Sequence, residues 1–313
     1  MKYSIVVPIY NDAYLATEFV SEFQSVFQLF LQKDEIKEDV ELIFVNDGSS
    51  NNSIETLISL SEQFGFIKLI DLSRNFGQHI ALTCGYQNAS GDFVGMLNVD
   101  MQDPPSEIPK LIKYLIDGEY DIVFGLVERR KTSLFNRLTS NVFNSVLYFL
   151  TKTKTPLNVA TIRIMNRKFL NAYNQLKEKS RYLPGLENWL GFKHGFLPIE
   201  HRERRVGKSS YNFRKRMLMA IDSIISFSDY PLRMIIKIGF IIAFLGFLMI
   251  LALIVSKLYF IDFQRGYISL VSIIVFLGGM QMMVIGFASL YIGRILKETQ
   301  NRPLYVVNEK YNF

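Results

Sequence analysis

Two short apolar runs, Tyr3-Ser-Ile-Val-Val-Pro8 and Val40-Glu-Leu-Ile-Phe-Val45, decide the fold, the second continuing into Asn46-Asp-Gly-Ser49. Each is of strand length, rich in β-branched residues and closed by residues that favour a turn, so both read as buried parallel strands. Between them Leu15, Phe19, Phe23, Val26, Phe27 and Phe30 recur at helical spacing, and Ile54 to Phe64 repeats that pattern after the second run. Lys68 to Leu72 and Asp92 to Val99 extend the series as strands, with Ala81 to Ala89 helical between them. Such alternation specifies a doubly wound, mostly parallel α/β sheet. Ligands of these sheets sit where loops leave the carboxyl ends of the strands. Tyr10-Asn11, Asp47-Gly48-Ser49, Arg74-Asn75 and Asp100 all fall on such loops, and no internal repeat or low-complexity tract breaks the pattern.

Downstream, two uncharged apolar stretches, Ile238 to Ser256 and Tyr267 to Gly293, change the character of the chain. Each is long enough to cross a hydrocarbon core of roughly 30 Å as a helix, which takes about 20 residues. A buried soluble hairpin is the alternative. Arg214, Lys215, Arg216, Arg233 and Lys237 precede the first stretch, and Arg294, Lys297 and Arg302 follow the second. By the positive-inside rule both flanks are expected in the cytoplasm, on a multi-pass protein of the cytoplasmic membrane. The expected organisation is a catalytic-type domain over 1–210, an amphipathic juxtamembrane helix over 211–233, a two-helix anchor over 234–293 and a cytoplasmic tail over 294–313. A single cysteine, Cys84, excludes an intramolecular disulfide framework, fits a reducing cytosol and reads as a small core residue. The N-terminus has no signal-peptide layout. The net charge of +6 reads as attraction to anionic lipid or phosphate, because the basic residues are not arranged as a nucleic-acid-binding module.

Two further segments are amphipathic at helical spacing. Leu134 to Leu150 sets Leu138, Val142, Phe143 and Val146 against Asn136, Arg137, Ser140 and Asn144. Tyr211 to Phe227 sets Phe213, Met217, Ile221 and Ile224 against Arg214, Lys215, Arg216 and Asp222. Alone, each is an ordinary core-facing pattern. The second is basic on its polar face and leads into an apolar span, which favours the headgroup plane.

Chemistry is concentrated in Asn98-Val-Asp-Met-Gln-Asp-Pro-Pro105, which follows an apolar strand and ends in a turn. Asp100 and Gln102 alternate along what reads as extended backbone and would point the same way. A carboxylate with an amide carbonyl is a hard-oxygen set suited to Mg²⁺ or Mn²⁺, the remaining positions being filled by water and diphosphate oxygens. The competing reading is a polar turn capping a helix that begins near Ser106. A second cluster, His201-Arg-Glu-Arg-Arg205 with Gly207-Lys-Ser-Ser-Tyr211, is either solvated surface or a place where guanidinium groups grip phosphate bidentately. His79, His194 and His201 are not at metal-ligand spacing and read as surface or core residues, and Trp189 as packing or an interface anchor.

The runs Tyr3 to Asn11, Phe44 to Ser49, Leu72 to Gly77, Ala89 to Asp92 and Asp100 to Pro105 together resemble family-2 glycosyltransferases of the GT-A fold. Gly207 to Tyr211, Phe227-Ser228 before Pro231-Leu232, and Tyr291 through Tyr305 extend the resemblance towards polyprenyl-phosphate glycosyltransferases across nearly the whole chain. The resemblance implies a Rossmann-like GT-A domain with interface helices and two C-terminal transmembrane helices. It implies a nucleotide-sugar donor, of UDP type, held by Pro8, Tyr10, Asn11, Asp47, Asn75, Asn98 and Asp100, with Asp100 and Gln102 on the metal. Arg204 would be the phosphate-gripping arginine and a catalytic group with Asp100 and Gln102. Arg130, Arg137, Arg204 and Ser209 would lie at the lipid phosphate. A polyprenyl phosphate acceptor, membrane lipids, a role in cell-surface glycan synthesis and a homotetramer follow from the same resemblance.

Departures from the family pattern are acid-to-amide or acid-to-hydroxyl changes: Asn46, Asn51 and Asn98, and Asn158 and Thr161 within Asn158-Val-Ala-Thr-Ile-Arg163. They weaken the electrostatic hold on a cation and remove a candidate base. A lipid monophosphate, with a second pKa of about 6, is largely dianionic at neutral pH and needs no base. It would attack the anomeric carbon with inversion. Two other readings remain: a hydroxyl acceptor with Asp103 as base, and a degenerate domain that only binds lipid carrier or a partner.

Overall fold

The computed structural model describes residues 1–36, 39–127, 158–179, 181–202 and 266–313, with scattered positions from 235 to 255. The two opening runs form β1 (Tyr3–Ile9) and β2 (Val40–Asn46), paired in parallel from Tyr3↔Val40 to Ile9↔Asn46. Both are covered on both faces, which is why their sequences are continuously apolar. Around them β3 (Ile67–Leu72) pairs in parallel with β2, and β4 (Phe93–Met96) in parallel with β1. The sheet is completed by β5 (Ile122–Val127), β6 (Val159–Asn166), β7 (His194–Ile199) and β8 (Val307–Tyr311) in the order β7-β5-β6-β4-β1-β2-β3-β8. Strand β6 runs antiparallel to β4 and β5, and β8 antiparallel to β3. The sheet is therefore mixed, parallel at its centre.

Helices α1 (Ala16–Leu31) and α2 (Ser53–Gln63) form where the apolar periodicity indicated, and α3 (Gln78–Asn88) and α4 (Ile108–Asp117) follow β3 and β4. The first begins with a 3-10 turn over Ala13–Leu15. Its Phe19, Phe23 and Phe27 are fully buried, with the last two rings 4.6 Å apart. Helix α3 lies close to the sheet because Gly85 has no side chain: a Cβ there would come within 2.2 Å of Val6. Its neighbour Cys84 is a buried core residue, its thiol pushed up to about 11 by burial. Beyond β6, α5 (Arg167–Gln175) and α6 (Leu183–Trp189) follow. The buried Arg163 of β6 pins α6 through Nη1, 2.6 Å from both carboxylate oxygens of Glu187.

Contacts divide the chain into two units, one holding the sheet and a second holding α7 (Tyr267–Thr299). Within α7, the 24 residues Phe276–Thr299 are long and apolar enough to cross a membrane, and none of that stretch is buried. Among the described residues this is the single such helix. The first expected span, 238–256, is described at about half of its positions, and the amphipathic segments 134–150 and 211–227 lie outside the described residues. The tail departs from a plain cytoplasmic extension: residues 302–313 belong with the first unit and supply β8.

One buried acid ties the amino-terminal ends of three strands. Glu41, on β2 and 2% exposed, accepts from Ser4 Oγ (2.5 Å), Ser90 N (2.6 Å), Ser90 Oγ (2.8 Å) and Lys68 Nζ (2.7 Å). Burial raises its carboxyl pKa, but Lys68 and the Ser4 and Ser90 bonds outweigh this and hold it at about 2, below the ordinary 4.5. A depressed carboxylate adds stability above the unfolded pKa and loses it as pH falls through the folded one, here from 4.5 to about 2. Glu41→Gln is expected to lower the unfolding free energy by about 3 kcal/mol at neutral pH. In unfolding titrations, the gap from wild type should shrink below pH 4.5. A gap independent of pH would remove the carboxylate from this role.

Candidate active site

Four loops leave the carboxyl ends of β1, β2, β3 and β4 and converge. The β1 loop turns at Asn11, whose φ of 61° is left-handed and which is knitted into the β2 loop. Its N–H donates to Ser49 Oγ (3.0 Å), its Oδ1 accepts from Ser50 N (2.9 Å), and its carbonyl accepts from Asn51 Nδ2 (3.1 Å). Tyr10 beside it is 48% exposed. Asp47 is buried and accepts from Phe76 N (2.7 Å) and Gly77 N (2.9 Å). Burial raises its pKa against those two bonds and Arg74. It holds the β3 loop onto the β2 loop.

Gly48 makes that loop contact possible. Its φ is +60°, and a Cβ would sit 2.2 Å from the carbonyl carbon of Arg74 and 2.5 Å from the Asn75 nitrogen, both backbone atoms. Gly48→Ala is expected to destabilise the chain by about 2 kcal/mol or more and to move the Arg74-Asn75 segment. Denaturant unfolding checks it, and an unchanged midpoint would mean the loops have room.

The amide at position 46 has a physical reason. Asn46 is 2% exposed; its Nδ2 donates to Asp71 Oδ1 (2.6 Å) while its Oδ1 accepts from Ser49 N (3.3 Å) and Ser49 Oγ (2.6 Å). An acid here would face the Asp71 carboxylate without a proton to share. Asn51 Oδ1 likewise accepts from Ser53 N (3.1 Å) and Ser53 Oγ (2.6 Å) at the start of α2.

After β4 the backbone is not extended, correcting the expectation for Asp100 and Gln102. Met101 has φ 52°, and its side chain packs in the core at 2% exposure. That inward methionine forces a turn, with the partly exposed Asp100 and Gln102 on either side; Gln102 N donates weakly to Asp100 Oδ1 at 3.4 Å. Pro105–Glu107 then form a 3-10 turn into α4.

Asn98 and Thr161 belong to a directional chain of side chains. Gln78 Nε2 donates to Asn98 Oδ1 (3.1 Å), Asn98 Nδ2 to Thr161 Oγ1 (3.2 Å), and Thr161 Oγ1 to Asp103 Oδ2 (2.7 Å). Asp103, 3% exposed, also accepts from Ile162 N (3.2 Å) and pairs through Oδ1 with His201 Nδ1 at 2.8 Å. Arg202 N donates to Gln102 O (2.8 Å), so the segment after β7 is fastened to the same turn. An acid at 98 would lose the donor to Thr161 and add charge near Asp103. His201 was legible only as an unassigned histidine, because its partner lies 98 residues earlier in the chain.

Asp100 and Gln102 fit a hard divalent cation as a set of one carboxylate and one amide oxygen, provided waters and phosphate oxygens complete the shell. Among the described residues no group of three or more His, Cys, Asp and Glu forms a protein-only cage. His79, in the first turn of α3, is pushed down to about 4 by burial and then by Arg163, and so is neutral at physiological pH. Trp189 is 68% exposed and does not pack in the core. Pro8 lies in β1 at the register of Val45, and Asn75 is exposed in the β3 loop. Arg130, Arg137, Arg204 and Ser209 lie outside the described residues.

Known proteins share this chain from end to end. The family model for glycosyl transferase family 2 matches residues 4–173, which contain all four loops. The uncharacterized glycosyltransferase YkcC of Bacillus subtilis is 34% identical over 312 residues, covering 99% of this chain and 94% of its own. An SfII prophage-derived bactoprenol glucosyl transferase of Shigella flexneri is 33% identical over 314 residues, 99% of each chain. The undecaprenyl-phosphate 4-deoxy-4-formamido-L-arabinose transferase of Photorhabdus laumondii is 32% identical over 316 residues, 98% of this chain and 94% of its own. Matched by the family model over more than half its length and by these relatives almost completely, the chain belongs to glycosyl transferase family 2 and is a glycosyltransferase.

Proposed function

We propose that this enzyme transfers a sugar from a nucleotide-sugar to a polyprenyl phosphate at the cytoplasmic face of the membrane, with inversion. The observation that carries this reading is the likeness to a bactoprenol glucosyl transferase over 99% of both chains, apolar C-terminal region included. Supporting it is the state of Asp103, whose oxygens are occupied by Thr161, Ile162 and His201 and which is withdrawn from solvent.

In this reading Tyr10, Asn11 and the Asp47-supported loops receive the nucleoside, with Pro8, Asn75 and Asn98 bordering it. Asp100 and Gln102 would hold Mg²⁺ or Mn²⁺, whose positive charge offsets that developing on the leaving diphosphate. Arg204 grips phosphate through charge-assisted hydrogen bonds, and Arg130, Arg137 and Ser209 attend the lipid phosphate. A phosphate oxygen of the acceptor forms the new bond to the anomeric carbon as the carbon–oxygen bond to the diphosphate breaks, and the nucleoside diphosphate departs with that electron pair. The attacking oxygen carries no proton, so no residue has to remove one. Two transmembrane helices, the second within α7, with the 211–233 segment in the headgroup plane, would bring the site to a long-chain acceptor.

A hydroxyl acceptor is the competing reading, and one observation favours it: Asp103 orients His201 in the manner of an acid–histidine base pair. Incubating the full-length protein in detergent with undecaprenyl phosphate and a panel of nucleotide-sugars, then weighing the lipid, tests the proposal. The expected product is the lipid phosphate plus one sugar. Transfer to glycan or glycolipid hydroxyls with none to the lipid phosphate would overturn it.

A further inference from the structure

Strand β8 follows the apolar helix in the chain, yet it reaches the loops at the carboxyl end of the sheet. Asn308 Nδ2 donates to Asp71 Oδ2 at 2.9 Å, on the carboxylate whose other oxygen receives Asn46 Nδ2 at 2.6 Å. Asn46 in turn holds Ser49, and Ser49 Oγ receives the N–H of Asn11 at 3.0 Å. The backbone adds a second tie: Ser73 N donates to Val306 O at 3.0 Å, immediately before Arg74-Asn75. A continuous line of hydrogen bonds thus runs from the C-terminal strand across β3 and β2 to the turn after β1.

We propose that β8 is a positioning element of the donor site, in which Asn308 orients Asp71, Asp71 fixes Asn46, and Asn46 sets the Ser49–Asn11 junction that receives the nucleotide. This rests on the reading of those loops as the donor site. Asp71 is the pivot because a carboxylate offers one oxygen to each of two amide donors. Without Asn308 its outer oxygen turns to water, and the inner one loses the orientation that keeps the buried Asn46 amide in place. Asn46 then has to trade its bond to Asp71 against its two bonds to Ser49. The strand itself does not depend on Asn308: Tyr305 Oη donates to Gln87 Oε1 (2.6 Å), Lys310 Nζ to Asn88 Oδ1 (2.6 Å) and Asn312 Nδ2 to Ile67 O (3.0 Å). Ladder pairing from Leu69↔Tyr311 to Leu72↔Val307 holds it as well. A change at Asn308 therefore acts on the relay without releasing the strand.

The test is a polarity swap in the full-length protein. Asn308→Asp sets two carboxylates against each other and is expected to raise the dissociation constants of UDP or GDP, measured by calorimetry, about tenfold. Amide hydrogen exchange at Asn11, Ser49 and Ser50 should accelerate, while the exchange of β1 stays slow. Combining Asn308→Asp with Asp71→Asn restores one donor and one acceptor at each contact, and should return both readouts to within about twofold of wild type. A purely structural role for the strand would lower the unfolding midpoint without the swap restoring nucleotide affinity, and that result overturns the proposal. So does unchanged exchange at Asn11, Ser49 and Ser50 in Asn308→Asp, or a wild-type protein that binds no nucleoside diphosphate. Transfer to a hydroxyl instead of a lipid phosphate would sink the acceptor reading alone, because neither readout involves the acceptor.

Discussion

Asp100→Asn is expected to lower turnover about 10²-fold or more while leaving the unfolding midpoint unchanged. Asp100 is the carboxylate of the turn whose neighbours are otherwise committed: Asp103 is held by three donors, and Asn98 bridges Gln78 and Thr161. An amide at 100 keeps the size of the acid, an acceptor for the Gln102 N–H and its partly exposed position. What it loses is the anionic ligand of the proposed cation. The loss should appear in turnover more than in donor KM, since charge on the leaving diphosphate grows towards the transition state. Activity should also vanish in excess chelator and return on adding Mn²⁺ or Mg²⁺. Wild-type rates from the variant in chelator would end the metal assignment.

The two opening strands were legible because burial on both faces leaves a continuous apolar run, and α1 and α2 because their inward residues recur at 3.6-residue spacing. Strand β8 was not legible. Val307-Asn-Glu-Lys-Tyr311 carries three exposed polar residues in a row, the composition of an edge strand, and its partner β3 lies more than 200 residues earlier. Truncation after about Tyr230 would therefore remove a strand of the sheet together with the apolar helix α7, and its effect on activity could not be assigned to the apolar region alone. The site was legible in its residue types and not in their partners. Asn46, Asn98 and Thr161 read as lost acids, yet each donates to a carboxylate or to the next link of a chain ending on one, a polarity that no spacing in the sequence reveals. The turn at Met101 was missed for a local reason: a left-handed residue other than glycine is uncommon, and core packing of its side chain holds it there.

The acceptor is decided by comparing Asp103, His201 and Arg204. Asp103→Ala would leave the Thr161 hydroxyl, the Ile162 N–H and His201 without their partner, mixing a folding defect with any chemical one. Asp103→Asn avoids this, because an amide can still accept from Thr161 and Ile162 and can donate to the imidazole in its other tautomer. With a dianionic phosphate as nucleophile, Asp103→Asn and His201→Asn are expected to slow transfer by less than about tenfold. Arg204→Ala should then slow it about 10²-fold or more, since its contacts strengthen as the diphosphate leaves. A hydroxyl nucleophile reverses the order: these substitutions then take away the pair that serves as its base, and removing a general base lowers the rate about 10²- to 10⁴-fold. The pH profile separates the two readings independently. Lipid-phosphate transfer should rise as the acceptor loses its second proton near pH of about 6 and then level off, in wild type and in Asp103→Asn alike. If Asp103→Asn abolishes transfer and Arg204→Ala is mild, the acceptor is a hydroxyl and the Asp103–His201 pair is its base.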